Sequence, residues 1–252
     1  MNIQMPIDYG KHLYHFTKAE TALLYIIPNQ KLKLSSFLDS NDPKENKTFG
    51  YWSIFQDCDE FKLHTIKSAF EHFLKESCKH LCFSNDYLEK NRNTYFRRNG
   101  YKHPTMWAHY ADNSRGICLV LDKKKFINQN QNLLYQRIKY KTVLKFPILN
   151  FNEWNKKKDS YFRNFLTKNA RRIFFNKHLH WNVEHEIKFI EIGVQEFCSI
   201  EDSLVGMYLG PDLDKTLYPL AYKSMEPYGW VEKVIIEDGQ FATVPLDFFT
   251  KS

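Results

Sequence analysis

The amino-acid sequence predicts an α+β fold with mixed, mainly antiparallel sheets and flanking helices. Many short segments alternate apolar and polar residues, as half-buried strands do, and the clearest of them is 186–192. A few longer segments, such as 59–77, instead repeat apolar residues at helical spacing. The two kinds do not alternate regularly, which argues against a doubly wound parallel sheet. The chain has no Gly-x-Gly-x-x-Gly motif and no Walker loop, so a nucleotide would need another architecture.

The length and composition favour one large domain. A chain of 252 residues that is 43% hydrophobic can bury a sizeable core, and it has no linker long enough to divide it. We therefore expect a single domain over 1–252, with a helical insertion around 152–180.

The charge balance points towards polyanions as partners. There are 36 Lys and Arg against 29 Asp and Glu, a net charge of +7 that favours encounter with nucleic acid. Runs such as Lys123–Lys125 and Lys156–Lys158 are equally typical of solvated surface. No segment has the ~20 apolar residues of a membrane span, and no leader is recognisable, so we expect a cytoplasmic protein without a membrane partner.

The five cysteines do not form a paired framework, which favours reduced thiols. Cys78, His80 and Cys82 would share one face of a strand, but no fourth metal ligand is indicated. Buried structural thiols are the preferred interpretation, and no metal is expected.

The first half of the chain is predicted to mix strands and helices. Residues 11–16 alternate weakly and lead to Thr17, whose hydroxyl can cap a helix over 19–27 that Pro28 stops. Further predicted elements are a strand over 31–35, a turn at 41–43, a helix over 59–77 and a strand over 81–84.

The second half is predicted to be richer in strands. The polar, basic stretch 86–103 has no core-forming pattern and reads as a long loop, after which Pro104 suits the first turn of a helix over 105–112. The remaining predicted elements are strands over 117–121 and 133–140, a helix over 159–177, and strands over 186–192, 205–209, 231–237 and 241–244.

Candidate binding residues lie at the start and in the middle of the chain. His15 stands where a strand should pass into a helix, and its imidazole could hydrogen-bond a ribose hydroxyl. Trp107 and Tyr110 share a face of the short helix; Trp107 suits the core, whereas Tyr110 suits either the core or stacking on a base. Arg115 could bind a phosphate bidentately or be a solvated loop residue.

The candidate catalytic residues are Glu184 and Glu186, which are two apart on what reads as one strand. Two carboxylates on one face repel each other unless a cation lies between them. Such a pair could stabilise an oxocarbenium ion, or it could be a solvent-facing edge where Glu186 pairs with Lys188.

A weaker pattern suggests a metal-dependent nuclease. Glu186-Ile187-Lys188 fits the Glu-x-Lys half of such a site, in which carboxylates hold Mg²⁺ and the lysine stabilises attack on phosphate. The interpretation requires Asp42 or Glu45, from the acidic turn, to lie near Glu186.

Three motifs in order resemble a widespread bacterial family, the domain of unknown function 2971. They are Asn41-Asp42-Pro43-x-Glu45, the run 106–112 (Met-Trp-Ala-His-Tyr-Ala-Asp) leading into Gly116-Ile117-Cys118-Leu119, and Trp181-x-x-Glu184-x-Glu186. The resemblance covers roughly residues 11 to 210. Lys44 and Lys188 stand where the family usually has an aromatic residue and an arginine.

The opening Leu13-Tyr14-His15-x-Thr17 is similar to the first motif of ADP-ribosyltransferases. The resemblance implies an ADP-ribosyltransferase-like fold and NAD as substrate. It implies His15 near the ribose, and Thr17 and Arg115 are further candidates for binding the cofactor. It also implies Tyr110 or Tyr51 against nicotinamide, Glu186 as the catalytic carboxylate and Glu184 positioning the acceptor.

The leading hypothesis is therefore an NAD-consuming ADP-ribosyltransferase, a toxin or antiphage-defence effector that modifies nucleic acid or protein. An antitoxin or regulator protein would be a further partner. The metal-dependent nuclease and a non-enzymatic nucleic-acid or protein binding module are the alternatives.

Overall fold

The computed structural model describes residues 10–37, 59–91, 94–142 and 147–246 and has the expected α+β architecture. Its strands are, in chain order, β1 (His12–Thr17), β2 (Lys31–Lys33), β3 (Ser35–Ser36), β4 (Cys78–Asn85), β5 (Tyr87–Asn91), β6 (Thr94–Arg98), β7 (Ile117–Asp122), β8 (Leu134–Arg137), β9 (Lys139–Lys141), β10 (Asn176–His178), β11 (Glu186–Ile192), β12 (Phe197–Ser199), β13 (Leu204–Leu209), β14 (Trp230–Glu237) and β15 (Gln240–Pro245).

A nine-stranded sheet organises the described residues. Its order is β15-β14-β13-β7-β1-β4-β11-β8, with β3 also paired to β4. Within this sheet β13 and β14 run parallel, and the other pairs are antiparallel. Small two-stranded sheets join β2 to β12, β5 to β6, and the parallel pair β9 and β10. The sheet is therefore mixed and mainly antiparallel, as predicted.

Helices cover both faces of the sheet. The helices are α1 (a wide π-type segment Thr21–Ile26 continuing into Ile27–Asn29), α2 (Glu60–Ser77), α3 (Pro104–Tyr110), α4 (Lys123–Gln129), α5 (Phe151–Lys157), α6 (Asp159–Ile173) and α7 (Tyr218–Met225). Asp59 caps α2 by accepting a hydrogen bond from the Lys62 amide, and Pro104 opens α3. The helical segment predicted around 152–180 is present as α5 and α6.

The core is divided by the sheet. One face packs against α1, α4 and α7, through a cluster that includes Leu13 and Phe189. On the other face α3 covers the β1 and β7 region, whereas α2, α5 and α6 cover the β4 and β11 region. That second face therefore carries two separate apolar clusters, and polar residues can occupy the part of the sheet between them.

Several predicted elements were wrong in extent or kind. The supposed loop at 86–103 contains the hairpin β5 and β6, which among the described strands pair with each other alone. The helix predicted over 159–177 ends at Ile173, because the chain turns into β10. Thr17 ends β1 and does not cap α1, and Pro28 lies inside α1, which ends at the left-handed Gln30.

The helices α4 and α7 were not predicted. Lys123, assigned to solvated surface, is buried at the start of α4. Phe61, an apolar residue in the first turn of α2, is 81% exposed. Within the described ranges, no helix has the length and apolar character needed to cross a bilayer.

Candidate functional site

A buried group of charged and phenolic side chains lies on the second face of the sheet, between its two apolar clusters. We call it the carboxylate cluster. Its members are Tyr110, Tyr140, Lys177, Glu184, Glu186 and Lys188. The side chains of Lys177 and Glu184 are 7% exposed, that of Glu186 is 4% exposed and that of Lys188 is fully buried. Such burial of four charges is unusual and requires close pairing.

The two glutamates are not on one strand, which corrects the prediction. Glu184 ends a 3-10 turn (Leu179–Glu184), and Glu186 is the first residue of β11. His185 between them has φ of 44°, in the left-handed region. The backbone reversal at His185 therefore brings both carboxylates to Lys177, in place of the strand alternation that we expected.

Strands β9 and β10 supply the other side of the cluster. In this parallel pair Tyr140 lies opposite Lys177. The Tyr140 hydroxyl accepts a hydrogen bond from the Glu186 amide (3.0 Å), and Lys177 is buried against both carboxylates. One face of the β9 and β10 pair therefore faces β11.

Lys177 bridges the two carboxylates. Its Nζ lies 2.9 Å from Oε2 of Glu184 and 2.5 Å from Oε2 of Glu186. Lys188, on the same face of β11 as Glu186, places its Nζ 3.5 Å from the other Glu186 oxygen, Oε1. Among the described residues, two ammonium groups therefore balance two carboxylates, and the expected repulsion between the glutamates is offset by a cation from the protein itself.

Helix α3 adds Tyr110. Its hydroxyl donates a hydrogen bond of 2.7 Å to Oε1 of Glu184, and the side chain is half-buried. Trp107, one turn earlier, is fully buried, and its indole Nε1–H donates to the Tyr101 carbonyl (2.7 Å). Trp107 therefore belongs to the core, whereas Tyr110 connects the carboxylates to a less buried environment.

The cluster holds Glu186 ionised. Burial alone raises the pKa of this carboxyl group, but the charges of Lys188 and Lys177 outweigh burial and bring the pKa well below its ordinary value. The Tyr140 hydroxyl responds in the opposite sense, because burial and the neighbouring Glu186 charge raise its pKa. At neutral pH the site therefore presents a buried anionic carboxylate beside a neutral phenol.

His15 does not reach this cluster. It lies on β1 between Leu13 and Thr17, and because side chains alternate along a strand, these three share a face. Leu13 belongs to the apolar cluster on the first face, and the His15 ring contacts the edge of Phe83 there (centroids 5.8 Å apart). Burial lowers the pKa of His15 to about 4, so it is neutral at pH 7. The structure therefore separates His15 and Thr17 from Glu186.

Arg115 is in the loop after α3, where its guanidinium is exposed and contacts Asp112. Its Nε lies 3.4 Å from Oδ2 of Asp112 and donates to the Asp112 carbonyl (3.2 Å). His109, beside Tyr110, is exposed. The predicted residues Tyr51, Asp42 and Glu45 lie outside the described residues.

The cysteine-histidine motif has the strand alternation that the sequence predicted. Cys78, His80 and Cys82 alternate along β4, and burial raises the pKa of Cys78 to about 12. In the part of the chain that the structure describes, no three His, Cys, Asp or Glu side chains are grouped to hold a metal ion.

Sequence reasoning missed Lys177, Tyr140 and a group of three rings beside the glutamates. His185 stacks on Tyr87 (centroids 3.6 Å apart), and His103 stacks on the same tyrosine (4.8 Å). Burial, with the charges of His103 and Arg137, lowers the pKa of His185 to about 3. An available sequence signal for Lys177 was its position two residues after the apolar run 173–175, where an exposed lysine would be less expected.

Comparison with protein families found one match that covers this site. A family model described as a protein of unknown function (DUF2971) matches residues 106–189, one third of the chain. All six residues of the carboxylate cluster fall within that segment, and His15 falls outside it. Comparison with curated proteins and with solved structures gave no match.

Proposed function

We propose that the protein cleaves the bond between nicotinamide and ribose in NAD and transfers the ADP-ribosyl group to an acceptor, with the carboxylate cluster as its catalytic centre. The observation that supports the proposal is the convergence of Glu184 and Glu186, both buried and charge-paired, beside the half-buried ring of Tyr110. His15 and Thr17 of the first-motif resemblance lie outside this centre, so the proposal rests on the carboxylate cluster and not on that resemblance.

The chemistry requires a fixed negative charge beside the ribose. When the glycosidic bond breaks, its electron pair leaves with nicotinamide and the anomeric carbon becomes cationic. An acceptor then forms a new bond to that carbon and loses a proton. A carboxylate that is already ionised and dehydrated stabilises this cation without solvent reorganisation.

The two glutamates suit different roles. Glu184 is hydrogen-bonded to the half-buried Tyr110, so it is the carboxylate nearer to an incoming ligand, and Tyr110 could pack on nicotinamide. Glu186 lies deeper and is held by two lysines. We assign Glu186 the electrostatic role and Glu184 the orientation of the acceptor.

A metal-dependent nuclease is the second candidate, and one observation favours it. Glu186 and Lys188 share a face of β11, as a Glu-x-Lys nuclease motif requires. However, Lys177 already occupies the position between the two carboxylates, so a divalent ion there would have to displace a buried ammonium group. This placement of charge is why we rank NAD chemistry first.

The first prediction concerns nicotinamide release from NAD by the purified full chain. Release should occur with the wild type and should fall at least 100-fold in Glu186→Gln and in Glu184→Gln, the order of loss seen when one transition-state electrostatic contact is removed. Glu191→Gln is the matched control, because Glu191 is also buried on β11 but occupies the alternate position that faces the other side. Its release should equal that of the wild type.

Circular dichroism should accompany the assay, since removing one charge of the cluster also affects stability. Tyr110→Phe keeps the ring and provides a variant that should fold. Wild-type chain that releases no nicotinamide, or full release from a folded Glu186→Gln protein, would contradict the proposal. Cleavage of nucleic acid that EDTA abolishes would favour the nuclease.

A further inference from the structure

The positive charge of the chain is concentrated in one segment. Residues 137–180 contain twelve Lys and Arg and two Asp and Glu, a net charge of +10 in a chain whose total is +7. The rest of the protein is therefore slightly acidic. Among the described Lys and Arg of this segment, Lys177 is buried in the carboxylate cluster, and the other side chains are exposed.

The β9 and β10 pair has two chemically different faces. Tyr140 and Lys177 face the carboxylate cluster, whereas Lys139 and Lys141 alternate with Tyr140 and are exposed. Across the pair, Lys139 lies opposite Asn176 and Lys141 lies opposite His178. The outer face of the pair is therefore basic, and only the thickness of the pair separates it from the carboxylates.

The end of α6 extends the same surface. The Asn176 side-chain amide donates to the carbonyls of Arg171 (2.7 Å) and Arg172 (3.1 Å), which fixes the last turn of α6 beside β10. Both arginines are exposed. We call Lys139, Lys141, Arg171 and Arg172 the basic ribbon.

Within the described ranges, no carboxylate forms an ion pair with the basic ribbon. The nearest acidic residue of α6 is Asp159, twelve residues from Arg171 and hence about 18 Å away along the helix. The helix dipole favours the two arginines at the end of α6, but it does not account for the two lysines on β9.

We propose that the basic ribbon binds the phosphodiester backbone of a nucleic acid. Four exposed cations follow a strand and the adjoining helix end, which suits a linear chain of phosphates. Two of them are arginines, whose planar groups bind phosphate bidentately.

Identification of this nucleic acid as the acceptor of the ADP-ribosyl group rests on the proposed function. The inner face of the β9 and β10 pair contacts the carboxylates, and its outer face carries the two lysines of the basic ribbon. A nucleic acid bound to the basic ribbon would therefore pass close to the catalytic centre. The binding itself is independent of NAD chemistry and can be tested without it.

The second prediction is measured by fluorescence anisotropy with labelled single-stranded RNA, single-stranded DNA and duplex DNA at several salt concentrations. The wild-type chain should bind at least one of these probes with affinity that falls steeply with salt. In Lys139→Gln/Lys141→Gln the slope of log affinity against log salt should decrease by ~2, and Arg171→Gln/Arg172→Gln should behave alike. Lys124→Gln/Lys125→Gln is the matched control, because α4 packs through Phe126 into the cluster on the opposite face of the sheet.

Each outcome is decisive. Equal binding by the ribbon variants and the control, or binding only to anionic vesicles, would overturn the proposal. If the ribbon variants lose nucleic-acid binding and still release nicotinamide, the surface and the catalytic centre are both supported. If the wild type binds nucleic acid through the basic ribbon without releasing nicotinamide, the proposed function is wrong and the binding proposal is supported.

Discussion

The two faces of β1, β4 and β11 differ sharply although they belong to the same strands. On the first face Leu13, Phe83 and Phe189 pack in an apolar cluster, and the His15 ring contacts Phe83 there. On the second face Glu186 and Lys188 are ion-paired on β11, next to the edge strand β8. An imidazole that is neutral because it is buried and a carboxylate that is ionised although it is buried are thus found in one small region.

The difference shows that chain order does not identify a shared site. His15 and Glu186 occur in the order of the first and last ADP-ribosyltransferase motifs, and β4 alone separates their strands. One residue of alternation nevertheless places them on opposite faces, because side chains along a strand alternate. The residue before His15, Tyr14, points to the second face, where it packs near Tyr101.

The largest effect is expected when the bridging cation is removed. Lys177→Met should destabilise the fold by about 3–5 kcal/mol, because it leaves two buried carboxylates without their shared partner. Lys139→Met is the matched control on the exposed face of the same two strands and should change stability by less than ~0.5 kcal/mol. Urea denaturation measures both. Similar free energies of unfolding for the two variants would show that the cluster is not held as described.

A smaller effect is expected from Tyr110→Phe. The substitution keeps the ring and removes the hydrogen bond to Glu184, which should cost about 1.5 kcal/mol because the acceptor is charged. Nicotinamide release should fall as well if Glu184 acts in the reaction. Tyr25→Phe, at a 60% exposed position, serves as the control. If Tyr25→Phe lost as much nicotinamide release as Tyr110→Phe, the loss would not be due to the hydrogen bond in the cluster.

The smallest effect is expected at His15 and appears as a change in pH dependence. The pKa of His15 falls from 6.5 to about 4 on folding, so the unfolded chain takes up the proton first as the pH drops. The neutral form of His15 therefore supports the fold above pH 6.5, and this support is lost between pH 6.5 and 4.

His15→Phe should flatten the dependence of stability on pH in that window, measured by thermal unfolding at several pH values. Part of the slope should remain, because His185 has its pKa lowered to about 3. Nicotinamide release should be unchanged. If the variant lost release while remaining folded, His15 would belong to the site and the division between the two faces would be wrong.

Much of the fold could be predicted because several of its strands alternate apolar and polar residues along the sequence. The strand β11 and the helix α2 were found from periodicity alone. The hairpin β5 and β6 was missed because it lies outside the nine-stranded sheet and the segment carries little apolar pattern. The helix α7 was missed although Tyr218, Ala221 and Met225 have helical spacing, because it is short and its exposed side also carries apolar residues.

The site could be predicted in part. Glu184, Glu186 and Tyr110 were singled out by their residue types and spacing, and the structure brings them together. Lys177 could not be singled out, because a basic segment offers many lysines and burial depends on how β10 pairs with β9. Lys188 was assigned to a nuclease motif or a surface ion pair, whereas it is the most deeply buried charge of the cluster.

The left-handed residue His185 has a consequence for anyone who varies this sequence. The spacing of the two glutamates depends on a backbone angle, with φ of 44° at a position that carries a side chain. In a library randomised at position 185, the variants that fold will therefore be selected by the energy of this backbone conformation, before any effect on the reaction is measured. Glycine and asparagine should be enriched, and valine, isoleucine and threonine should be lost, whatever reaction the neighbouring carboxylates perform.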